Sequence, residues 1–234
     1  MKSFSNIYIF VFSTVMVILV AAILSSAAML LQPLQQKNFE IEQKRNILAS
    51  ITIESTATDA ESLYNKYITE SFVVDSKGKI KEGVDAFDVN MTDEVRKPDE
   101  EKSLPVFVGL LDDEKKEYVI PVRGAGLWGP IYGYVALNDD FNTIFGTNFG
   151  HDGETPGLGS EITTSWFQDR FKGRKIFSDD GVFTSIDIVK GKSDPSSLNQ
   201  VDGITGSTLT TNGLDNMLKD CLKPYEAYFK NQMN

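Results

Sequence analysis

Cysteine and histidine are almost missing from this chain: Cys221 and His151 are the only examples of each. An intrachain disulfide is excluded. A zinc site of Cys and His is all but excluded, since it needs three or four ligands at short spacing. Cys221 stands at helical spacing with Leu214, Met217, Leu218 and Leu222 and reads as a small core residue. Basic residues are also in deficit, 23 against 33 acids, for a net charge of −10 over 234 residues. No basic stripe is present, so nucleic acid is not an expected partner. An acidic chain is repelled by anionic lipid, so contact with a membrane is expected through insertion. His151 has no companion nucleophile motif such as G-x-S-x-G, which argues against a triad hydrolase. No internal repeat or low-complexity tract occurs.

Charge is missing altogether from residues 3–36. Within them, Ile7 to Leu31 forms an apolar run of 25 residues, about 37 Å as a helix against a hydrocarbon core of roughly 30 Å. A cleaved signal peptide has a shorter apolar core, so a retained single span is predicted. Pro33 is expected to end the helix. Lys2 and the α-amine lie on one side of the run, and Lys37, Lys44 and Arg45 lie on the other. That count alone places the C-terminal side in the cytoplasm.

The rest predicts an α+β fold with an antiparallel or mixed sheet. Helices are expected at 37–50 and 57–72, the second with Thr58 or Asp59 as N-cap. A hairpin should turn at Ser76–Gly78, and 85–103 reads as an acidic surface excursion. Strands are expected at 106–111, 117–123, 132–138, 174–178 and 183–191, and DDEKK at 112–116 is turn-like. Short helices are expected near 139–147 and 160–171. The organisation predicted is a membrane anchor (1–36), a membrane-proximal segment (37–103) and a core domain (104–234).

Three segments stand out. GAGLWG, Gly124 to Gly129, matches G-x-G-x-x-G, but a strand rather than a helix is predicted after it, so the dinucleotide reading fails. It leaves a turn presenting Leu127 and Trp128, which either lines a planar ligand or tucks into the core. HDGETPGLGSEI, His151 to Ile162, is a shaped loop offering Glu154, Thr155 and Leu158. Ser160 and Ile162 then open the next helix. DGITGSTLTTNG, Asp202 to Gly213, holds five hydroxyls and three glycines. Thr210 or Thr211 can cap the last helix. Thr205, Ser207 and Thr208 are then surplus, on a loop freed by Gly203 and Gly206. Helix-start N–H groups favour phosphate, so the surplus suits phosphate binding or attachment. Asp202 adds an acid that could hold a metal ion transiently during phosphoryl transfer.

DGITGST resembles the flavinylation motif of the FMN-binding domain family, with Ser207 where Ala is usual. ETPGLG and GLWGPIYGYVAL resemble that family's flavin-contacting segments. With the span and the chain length, the similarity is greatest to the C subunits of sodium-translocating NADH:quinone oxidoreductases (the Nqr complexes), and next to the G subunits of Rnf-type complexes. The resemblance implies covalent FMN on Thr208, and a site including Leu127, Trp128, Glu154, Thr155, Leu158, Lys190, Asp202, Gly203, Thr205 and Gly206. Lys190 is otherwise a solvated lysine at a strand end. The resemblance also implies electron relay toward ubiquinone coupled to sodium export, other membrane subunits as partners, and maturation by a flavin transferase using FAD and magnesium. It puts the domain on the periplasmic side of a bacterial inner membrane, against the Lys/Arg count. The rival of another class is a single-span sensor or binding ectodomain without redox function.

Overall fold

The computed structural model describes residues 5–112 and 114–233. Lys2 and the α-amine, used above for orientation, lie outside the described residues, as does Asp113 of the DDEKK turn. In chain order the elements are α1 (Asn6–Ser50), α2 (Ala60–Tyr67), β1 (Ile68–Val74), α3 (Met91–Glu94), β2 (Leu104–Leu110), β3 (Lys116–Ala125), β4 (Pro130–Leu137), β5 (Ile144–His151), α4 (Ser165–Gln168), β6 (Asp187–Val189), β7 (Gln200–Asp202), α5 (Thr208–Leu222) and α6 (Glu226–Met233). Contacts divide the chain into two compact units, with the boundary between Gln43 and Lys44.

Helix α1 is the one described helix long and apolar enough to cross a membrane. Ile7, Phe10, Ile18 and Leu24 are among its exposed apolar side chains. Pro33 does not end it, contrary to expectation, and lies inside the helix. The ring forfeits one backbone bond, while good helix formers on both sides carry the helix to Ser50. There the chain leaves through paired end bonds: Ile53 N–H donates to Leu48 C=O at 2.9 Å and Thr52 N–H to Ala49 C=O at 3.0 Å. This is the Schellman arrangement, which places Thr52 where glycine is usual, and Thr52 has φ 63°.

In the second unit, β1 to β5 form an antiparallel sheet in sequence order, and β6 and β7 make a small parallel pair. Alternation sends side chains to two faces. Val106, Ile120, Val122, Ile131, Val135 and Leu137 pack with Leu214, Met217 and Leu218 of α5 and Phe229 of α6. Phe107, Val119, Tyr134 and Ala136 point the other way and pack with Ile47, Leu48 and Ile51 from the end of α1 and with Tyr64 of α2. Each fully buried side chain of this kind contributes about 1.5–3 kcal/mol. Burial on both faces explains why the central strands read as near-continuous apolar runs.

Four expectations change. The helix expected over 57–72 stops at Tyr67, and the β-branched and aromatic residues after it become β1. Asp59 occupies the N-cap position without capping; its carboxylate accepts the Thr56 N–H instead. No helix forms over 139–147. Asp140 accepts from the N–H groups of Asn142 and Thr143, making a tight turn, and β5 begins at Ile144. Gly146 favours that strand because it fits against the Ser50 carbonyl. Residues 174–178 and 183–191 do not form the expected strands: Ser185 has φ 59°, the chain bends at Ile176, Lys190 and Gly191, and among the described residues they pair through isolated bridges and the short β6. The hairpin at Ser76–Gly78 is present, with Asp75 N–H donating to Lys79 C=O at 2.8 Å.

Candidate functional site

Strands β3 and β4 pair to their ends, Ala125 opposite Pro130, and Gly126 N–H donates to Gly129 C=O at 2.8 Å. This tight closure leaves Leu127 and Trp128 at the tip. Trp128 is 69% exposed, so the tip does not tuck into the core. No helix opens inside GAGLWG, as the failed dinucleotide reading requires.

Beside the tip, the loop after β5 carries Glu154, which is only 4% exposed. Its Oε1 accepts the Trp128 N–H at 2.8 Å, and its Oε2 accepts the Thr210 hydroxyl at 2.5 Å. Its own N–H donates to His151 Nδ1 at 3.2 Å. One carboxylate thus ties the hairpin tip, the loop and helix α5. Burial would raise its pKa, but bonds from the Thr210 hydroxyl and from the N–H groups of Trp128 and Leu127 outweigh burial and hold it below its ordinary value. Gly126 and Gly159 make the knot possible: a Cβ at either would collide with a Glu154 carboxylate oxygen. Leu158 packs against Gly206, whose φ of 82° suits glycine.

Helix α5 begins at Thr208, earlier than expected. Thr208 is its first residue rather than a loop residue, and neither Thr210 nor Thr211 caps it. Thr210 serves Glu154, and the Thr211 hydroxyl accepts the Ile204 N–H at 3.4 Å. Ser207 takes the N-cap position, but its side chain makes no cap bond. It is 5% exposed, and its hydroxyl has no partner. Thr205, Gly206 and Thr208 are exposed. The first-turn N–H groups of α5 have no acceptor within the helix, and they favour an anion beside Thr208.

Asp202 ends β7. Its Oδ1 accepts from the N–H and the hydroxyl of Ser193, at 2.6 and 2.7 Å. These two bonds, led by the N–H, lower its pKa, with Arg170 adding a smaller effect. The Arg170 guanidinium donates to the Asp202 carbonyl at 2.8 Å. Gly203 N–H donates to Val189 C=O at 2.8 Å, which brings the end of β6 and the adjacent Lys190 to the same loop. Lys190 is exposed and, among the described residues, makes no ion pair. Thr155 C=O accepts the Leu158 and Ser160 N–H groups, shaping the turn into the short helical segment Gly159–Thr163.

The three segments singled out in the sequence therefore meet. Leu127, Trp128, Leu158 and Leu209 expose apolar surface at this meeting point. Apolar surface for a ring system, a hydroxyl and a helix-start anion site fit a flavin nucleotide. The roles of Thr210, Leu209, Gly126, Gly159 and Arg170 are not readable from the sequence. The Glu154–Thr210 bond spans 56 residues, and no local pattern marks it.

Fold and site together define an FMN-binding domain: the model of that family matches residues 126–223. The chain is 33% identical over 228 residues to the C subunit of the Na(+)-translocating NADH-quinone reductase of Haemophilus ducreyi, covering 89% of this chain and 88% of that one. It is 30% identical to the corresponding chain of Pseudomonas aeruginosa, covering 88% of each. The crystal structure of the corresponding chain from Parabacteroides distasonis superposes with a TM-score of 0.79 at 39% identity, covering 85% of this chain and 96% of that one. The chain belongs to the family of C subunits of the Na(+)-translocating NADH-quinone reductase.

Proposed function

We propose that Thr208 carries FMN through a phosphoester, and that the chain relays electrons from NADH toward ubiquinone within a sodium-exporting complex of several membrane subunits. The observation that carries this reading is the contrast between neighbouring hydroxyls. Thr208 is exposed at a helix start among apolar side chains, while Ser207 is buried. Ser207 therefore does not compete as an acceptor, although it stands where the family motif has Ala. FMN, when bound, supplies the redox step. The N–H groups opening α5 favour the phosphate charge. Leu127, Trp128 and Leu158 offer apolar contact to a ring, and Thr155 a hydrogen bond. Lys190 supplies a cation that favours the reduced, anionic flavin. Glu154 holds the walls of the site in register.

Attachment requires a flavin transferase that uses FAD and magnesium. In this reading the domain stands on the periplasmic side with α1 as a single-pass anchor, which is supported by the resemblance to a family flavinylated outside the cytoplasm. The test is the intact mass of the chain purified from its native membrane, with peptide mapping across 202–213. One added FMN on Thr208 is expected, with fluorescence of the band on a denaturing gel. Thr208→Val should abolish both. A bright Thr208→Val band moves the attachment site, and an unmodified native chain overturns the reading.

A further inference from the structure

The loop that presents Thr208 is held by residues outside its own motif. Arg170 donates to the Asp202 carbonyl, and Ser193 donates twice to the Asp202 carboxylate. The same guanidinium lies 4.5 Å from the centre of the Trp166 ring, a second contact that restrains it. Downstream, Gly203 N–H is bound to Val189 C=O at 2.8 Å, and Ser207 N–H to Ile204 C=O at 3.1 Å. Both ends of the loop are therefore pinned, and Thr205, Gly206 and Thr208 are left exposed. Asp202 Oδ1 is already shared by two donors, which makes this acid a strut for the loop.

We propose that Arg170 and Ser193 are positioning residues for flavin attachment, holding Asp202 so that the Thr208 hydroxyl is presented to the pyrophosphate of FAD. This rests on the reading that Thr208 is the acceptor. In the step, Thr208 Oγ1 forms a bond to the phosphorus of the FMN half. The bond from that phosphorus to the bridging oxygen breaks, and AMP leaves with the electron pair. The hydroxyl proton passes to solvent, and nothing is oxidised or reduced. Misplacing a nucleophile by about 1 Å costs up to about 100-fold in rate, so a clamp on the loop acts on the rate without touching the reacting atoms.

The experiment uses the full chain in nanodiscs, made without flavin and then incubated with flavin transferase, FAD and magnesium. FMN incorporation is followed by intact mass and normalised to the folded fraction. Arg170→Gln should slow incorporation about tenfold or more. Ser193→Ala, which keeps the N–H but removes the hydroxyl, should slow it severalfold. Because both act through Asp202, the double variant should be no slower than about the worse single variant. Arg170→Lys, which keeps a cationic donor, should recover part of the rate. A residue that only stabilises the fold would change the folded fraction and leave the normalised rate alone. Wild-type rates in both single variants, or losses that multiply in the double, overturn the inference. If Arg170→Gln does not fold, Ser193→Ala decides it by the same criterion. A wild-type chain that gains no mass on Thr208 instead overturns the acceptor reading.

Discussion

Glu154 offers the sharpest energetic test, because its two carboxylate oxygens join three segments. Glu154→Ala leaves the Trp128 N–H and the Thr210 hydroxyl without the acceptor that Glu154, itself 4% exposed, provides. Each orphaned donor costs about 1–3 kcal/mol, so the loss should be about 2–6 kcal/mol, nearer the low end because Trp128 is largely exposed. Glu154→Gln is milder. Its amide oxygen can face Trp128 N–H while its NH2 donates to a Thr210 hydroxyl rotated to accept. What is lost is mainly charge assistance, about 1–2 kcal/mol. The two variants also separate by pH. The folded-state pKa of Glu154 is depressed below the ordinary value of 4.5. Its ionisation therefore stabilises the fold above that value, and the contribution is lost as pH falls through the folded-state pKa. The gap between wild type and Glu154→Gln should accordingly be full at neutral pH and close as the pH drops below about 4.5. Urea denaturation of the detergent-solubilised chain, followed by circular dichroism from pH 3 to 8, measures both effects. A Gln variant as damaged as the Ala variant, or a gap independent of pH, refutes the account of Glu154 as an ionised tie.

The knot has a second entrance. Gly159→Ala puts a Cβ 2.6 Å from Thr210 Oγ1, so it should destabilise by about 1–3 kcal/mol in the same assay. Ser207→Ala removes a buried hydroxyl that has no partner and should raise stability by about 1 kcal/mol while the mass shift on Thr208 is retained. Thr52→Gly relieves a β-branched residue held at φ 63°; thermal melting should show a gain of about 1 kcal/mol. If Lys190 stands beside the ring as proposed, Lys190→Gln should lower the flavin midpoint potential in a spectroelectrochemical titration, because loss of a nearby cation disfavours an anionic reduced form.

Much of this molecule is legible in its residues where a local pattern carries the information. The apolar run of α1, the hairpin presenting Leu127 and Trp128, and the turn at Ser76–Gly78 each follow from short-range composition. The crowding of hydroxyls after Asp202 likewise points to a site, because a helix start needs only one or two of them. What is hidden depends on tertiary partners. Pro33 is a helix breaker by local rule, yet the helix around it tolerates one lost bond. The stretch before and through Ile144 looks helical until Gly146 meets the Ser50 carbonyl and fixes a strand there. Glu154 reads as a polar loop residue and a ligand contact, and its buried bond to Thr210 emerges only from folding. Arg170 lies outside every motif, and its grip on the Asp202 carbonyl is invisible without the fold.

The end of α1 bears on how the domain can be separated from its anchor. Ile47, Leu48 and Ile51 are completely enclosed, so the last turns of this helix belong to the interior of the globular part. A protease site or a soluble fragment that begins after Thr52 would take Ile47, Leu48 and Ile51 out of the cluster they share with Tyr64, Phe107 and Val119, uncover part of one side of the sheet and invite aggregation. Trimming that starts just before Lys44 removes the greasy leader and keeps the plug in place.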